Sequence, residues 1–123
     1  MEHEFIAPQH QLFEFQNIMY RIFIGKNQRE NDRLIDMSSP SDIWFHVSNS
    51  PSTHVILKND DEVSVKQIPK QVLKRCACLC KSHSKSASVR NCEIMYTQIM
   101  HIEKTDVPGK VTVNKNHSKT IVI

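Results

Sequence analysis

The chain has 123 residues, 39% of them hydrophobic and 24% charged, with a formal net charge of +3. That composition fits one globular domain able to bury a core without disulfide staples, and it sets aside disordered, fibrous and disulfide-built classes. No apolar run approaches the length of a membrane span, and the start MEHEFIAPQH is no signal peptide, so the cytoplasm is the expected compartment.

In chain order, FEFQNIMYRIFIG reads as a β-hairpin turning at Gln16-Asn17, with Tyr20, Ile22 and Ile24 alternating along its second strand. Residues 1–17 are then either a divergent extension or the hairpin's first strand. Gly25 ends the second strand. KNQRENDRLIDM follows as a short helix, with Asn27 as N-cap and Glu30 at the capping-box position. DIWFHV and HVILK are short strands joined by the loop SNSPST. Alternation in the first of these sends Ile43, Phe45 and Val47 to one face and Asp42, Trp44 and His46 to the other.

The strongest helix signal is IPKQVLKRCACLCKSHSK, with Pro69 in its first turn and Val72, Leu73, Cys76, Ala77, Leu79 and Cys80 forming one apolar stripe. Lys70, Lys74, Lys81 and Lys85 fall on a second stripe of the same helix, away from the apolar one. CEIMYTQI, KVTV and KTIVI read as further strands, separated by DVPGK and NKNH. The sum is an α+β fold over residues 1–123: a mostly antiparallel sheet with one substantial amphipathic helix and one short helix packed on it.

Charge is segregated along the chain. From Val63 to Cys92 there is no acid, while seven lysines and arginines fall there, and Val107 to Ile123 carries Lys110, Lys115 and Lys119 without an acid. Such a chain presents a one-sided positive field that steers polyanions. The cysteines of RCACLC lack paired knuckle spacing, so Cys76 and Cys80 read as small core hydrophobes, and no metal or cofactor is expected.

Two chemistries compete for the polar residues. Asp32, Asp42, His46 and His54 are of general-base and metal-ligand type, which allows an RNA-processing enzyme using His46 and His54. Their spacing matches no motif with known mechanics, and neither a nucleophile elbow nor a deaminase signature is present. A nucleic-acid platform instead needs cations for phosphate and flat rings for bases. The lysine stripe supplies the first; Trp44, with His46 beside it and Tyr20 or Tyr96 on neighbouring strands, could supply the second. By pattern alone, the stronger reading of Trp44 is a core residue whose N–H bonds a carbonyl.

The segments GKNQREND (25–32), SDIWFHV (41–47), STHVIL (52–57), the helix from Ile68 and YT at 96–97 resemble the NFACT-R family of RNA-binding modules, the short stand-alone eukaryotic members above all. The resemblance implies an α+β domain that binds RNA (tRNA or rRNA) in translation or ribosome-associated quality control, without catalysis. It also leaves room for non-specific DNA binding and for a ribosome-associated protein partner. Carried over by position, the signature residues are Gly25, Lys26, Asn27, Asn31, Asp32, Asp42, Trp44, His46, His54, Ser84 and Lys85. Gly25-Lys26-Asn27 is expected as a turn that exposes backbone beside the Trp44 face. Two positions depart from the family pattern: Ser48 stands where many members have a basic residue, and PSTH replaces PGSH.

Overall fold

The computed structural model describes residues 9–123; the segment 1–8, on which the signal-peptide reading rests, lies outside them. Its elements in order are β1 (Gln9–Phe15), β2 (Ile18–Ile24), α1 (Gln28–Met37), β3 (Ile43–Val47), β4 (Val55–Leu57), α2 (Lys70–Ser82), β5 (Glu93–Gln98), β6 (Ile102–Lys104), β7 (Val111–Val113) and β8 (Lys119–Val122). Six strands form one antiparallel sheet in the order β1-β2-β4-β3-β5-β8, and β6 with β7 forms a separate hairpin. The α+β reading holds.

The β1–β2 turn is the two-residue loop Gln16-Asn17, both with positive φ (50° and 66°), which matches the twist of the flanking strands. β1 is thus the first strand of the hairpin. Strand β3 lies between β4 and β5, and its alternation divides the core. Ile43, Phe45 and Val47 join Ile22, Ile24, Val55, Leu57 and Ile94 beneath the apolar stripe of α2. Trp44 points the other way, into a second cluster with Leu34 and Ile35 of α1, Ile56 and Ile102, flanked by Val111 and Val113. The sheet is therefore covered on both faces: α2 on one, α1 and the β6–β7 hairpin on the other.

One expectation needs correction. The α2 helix stops at Ser82, so Lys85 lies beyond it and is not part of the lysine stripe. The cause is local, since the Ser82 and Ser84 hydroxyls bond the carbonyls of Leu79 and Cys80 and compete with further helix. KVTV is a strand, as expected; as β7 it pairs with β6 in the separate hairpin and helps close the second face.

Candidate nucleic-acid interface

The second face carries a groove of about 650 Å³. Its floor is β3 with Met95 of β5 and His54 just before β4, one wall is the loop from Asn49 to Ser52, and the other is the hairpin turn from Val107 to Val111. Gln28 and Asn31 reach it from the start of α1, and Lys115 from beyond β7.

Local sequence explains how this wall is held. Asn27 caps α1 by accepting the Glu30 N–H (2.9 Å), while the Glu30 carboxylate accepts the Lys26 N–H (2.9 Å). Asn31, one turn into the helix, accepts the His54 N–H through Oδ1 at 3.1 Å. A Cβ on Gly25 would stand 2.1 Å from that same Oδ1. Glycine is therefore required at 25 by the close approach of Asn31. The Gly25 N–H donates to the His54 carbonyl (2.9 Å), so both backbone donors of Gly25-Lys26 are engaged. The expectation of a backbone-exposing turn is overturned: the turn serves to lock α1 onto β4.

Asp32 faces the hairpin, where its carboxylate accepts the Gly109 N–H (3.2 Å) and pairs with Lys104 (3.0 Å). Gly109 has φ +79°, and a Cβ there would also press on the Gln28 carbonyl at 3.0 Å. G-K-N-x-x-x-N-D is thus a bracket that joins β2, α1, β4 and the hairpin around the groove.

The rings at the floor form one cluster, with His46 stacked on Trp44 and His54 edge-on to both. Trp44 is 1% exposed, and its indole N–H donates to His54 Nδ1 at 3.1 Å. An indole nitrogen only donates, so His54 Nδ1 is the acceptor and the ring proton sits on Nε2, toward the Gly109 backbone. Burial, reinforced by the neighbouring His46, pushes the His54 pKa down to about 3. His46 is half-buried and stacked on Trp44, with centroids 5.3 Å apart and planes 19° apart. Its Nδ1 bonds the Val47 carbonyl (2.7 Å), and burial lowers its pKa as well. Both imidazoles are driven toward the neutral form.

Trp44 consequently cannot present a ring face to a base; it is a buried prop, bonded to an imidazole nitrogen instead of the expected carbonyl. Tyr96 stacks on Phe45 (5.6 Å) and Tyr20 packs with the α2 cluster, so neither tyrosine shares the groove. Asp42, also 1% exposed, accepts from Lys58 Nζ (2.6 Å) and from the Ser39 and Asn59 N–H groups. The four groups of the enzymatic reading are thus spread among separate structural bonds: Asp42 with Lys58, Asp32 with Lys104, His54 with Trp44, His46 with Val47.

The lysine stripe lies elsewhere. Lys70 and Lys74 are exposed on α2, across the sheet from the groove, and Lys81 is half-buried with Nζ donating to the Ile123 carbonyl (3.1 Å). Ser84 connects the two regions: its hydroxyl accepts the Thr53 N–H (3.2 Å), fastening the end of α2 to the segment leading into β4. The cations that do line the groove are Lys110 and Lys115, and neither has a carboxylate partner among the described residues. They escaped the site reading from sequence because nothing in their spacing ties them to β3. The acid-free tail was the available signal.

A family model described as NFACT protein RNA binding domain matches residues 6–115. The chain belongs to this family. The match begins upstream of the sequence motifs and takes in the first strand of the hairpin. Coiled-coil domain-containing protein 25 of Mus musculus is 39% identical over 87 residues, covering 70% of this chain and 42% of that protein. Protein JLP2 of Saccharomyces cerevisiae is 35% identical over 99 residues, and the Rqc2 homolog RqcH of Bacillus subtilis 28% over 100, covering 76% and 79% of this chain but 48% and 16% of those proteins. The chain spans under half the length of these NFACT relatives. In fold it resembles the C-terminal part of the fibronectin/fibrinogen-binding protein from Streptococcus suis, with a TM-score of 0.82 at 22% identity, over 98% of this chain and 46% of that one. No helix among the described residues is long and apolar enough to cross a membrane.

Proposed function

We propose that this domain binds RNA through the groove between the 49–52 loop and the β6–β7 hairpin, and that it acts by binding, without turnover. What supports this most is one convergence: Gly25, Asn27, Asn31, Asp32, Trp44, His46 and His54 all line or brace a single groove, and two lysines without a carboxylate partner among the described residues stand on its rim. Cations on a rim neutralise phosphate, and a braced, partly apolar floor suits the flat parts of a nucleotide. The RNA is tRNA or rRNA, in translation or ribosome-associated quality control, as the likeness to the Rqc2 homolog RqcH suggests. Lys26 at the foot of α1 and Lys85 beyond α2 are exposed cations outside the groove lining. Lys70, Lys74 and Lys81 on the far face add only diffuse attraction.

Charge reversal separates the two faces. Lys110→Glu with Lys115→Glu should weaken binding to a tRNA-sized RNA and flatten its salt dependence by about one unit of slope per lost phosphate contact. Lys70→Glu with Lys74→Glu should leave most of that slope intact. The reverse ranking would move the site to α2. Intact RNA after long incubation with the protein is expected; defined cleavage products would revive the enzymatic reading of His46 and His54.

A further inference from the structure

The groove is roomier than phosphate binding requires. At about 650 Å³ it falls in the range of cavities that enclose small molecules, about 300–1,000 Å³. Pro51, Met95, Val107, Pro108 and Val113 give it apolar walls, which a polyanion's backbone has no use for. One face of the His46 ring rests on Trp44; the exposed remainder of that half-buried ring lines the groove. With Nδ1 held by the Val47 carbonyl and the ring kept neutral by burial, His46 offers an uncharged flat surface and an Nε2 acceptor. Lys110 and Lys115 stand at the same rim.

An apolar slot with a flat ring in it and ammonium groups at its mouth matches a nucleotide: a base that can leave water, joined to a phosphate that cannot. We propose that the groove takes one unpaired nucleotide of the RNA, its base inserted against His46 between Pro51 and Met95 and its phosphate at Lys110 and Lys115. This rests on the reading of the groove as the RNA site. A paired base cannot enter, because in an A-form duplex its faces are stacked on its neighbours and its pairing edge is engaged by its partner. Trp44 then acts at one remove, as the rigid backing that holds His46 flat.

The test compares three RNA duplexes of one sequence on the unmodified protein: fully paired, with one bulged nucleotide, and with an abasic bulge at the same place. Stacking one base is worth about tenfold or more in affinity. The bulged duplex should therefore bind about tenfold more tightly than the other two, which should bind alike, and His46→Ala should remove that advantage. Equal binding of bulged and abasic duplexes overturns base insertion, whatever the variants do. If Lys110→Glu with Lys115→Glu still weakens all three in that case, the RNA site stays in the groove and only the insertion is lost. If that variant changes none of them, the RNA reading of the groove falls and the insertion with it.

Discussion

At the residue scale, His54 is a motif residue that the fold buries, which moves its titration far below neutral pH. Its ring is 1% exposed, with Nδ1 occupied by the Trp44 N–H. An unfolded histidine titrates near pH 6.5, whereas the folded one titrates near 3. Between those values the unfolded chain holds a proton that the folded chain lacks, so stability rises with pH through this window and is lost as pH falls. By pH 5 the loss relative to pH 8 should reach about 2 kcal/mol from this group, with His46 adding in the same direction. Urea melts at the two pH values measure it, and His54→Gln should shrink the difference. A wild-type stability that does not change between pH 8 and 5 would refute the buried neutral imidazole. Cys80 is the plainer case: burial pushes its thiol up to about 12, and Cys76 is raised further still, as expected of cysteines that pack as hydrophobes. The sequence pattern was enough to predict that role, because their helical spacing with Val72 and Leu73 already placed them on the apolar stripe. The pattern around Trp44 was not enough, since alternation assigns a side chain to a face without saying whether that face is covered.

At the scale of elements, α1 is the piece on which the groove depends. It is ten residues long, short for an independent helix, and its position comes from the bonds at its start. Gly25 and Asn31 form the tightest of these. Gly25→Ala should cost about 1–3 kcal/mol, because Asn31 Oδ1 is held by the His54 N–H and cannot simply rotate away. Adding Asn31→Ala removes the clashing atom, so the double variant should lose less than the sum of the two single losses. Denaturant melts of the four proteins check this cycle, and strict additivity would mean that Gly25 is required for some other reason. The β6–β7 hairpin shows the opposite limit of sequence reading. Its strands have three residues each, too few for a period-2 signal, and Ile102 is the single fully buried side chain among the six. What fixes it is tertiary: Asp32 to Lys104 and to the Gly109 N–H, contacts between residues more than seventy positions apart.

Over the whole molecule, the sheet acts as a divider. Its α2 face was legible as sequence, down to the six apolar residues of the helix and the three of β3, because both periodicities are undisturbed. The opposite face was legible only as a list of polar residues, whose meaning depends on a layer built from distant and weakly patterned segments. This is why the lysines of α2 stood out in the sequence while Lys110 and Lys115, which line the groove, did not. The central claim is that RNA is bound on the face of α1 and the β6–β7 hairpin, and backbone amide shifts during titration of the 15N-labelled chain with single-stranded RNA test it most directly. The expected pattern is perturbation of Asn49 to Thr53 and of Val107 to Val111, with Lys70 to Arg75 of α2 nearly still. Shifts confined to α2, with the loop and the hairpin turn unmoved at saturation, would contradict it.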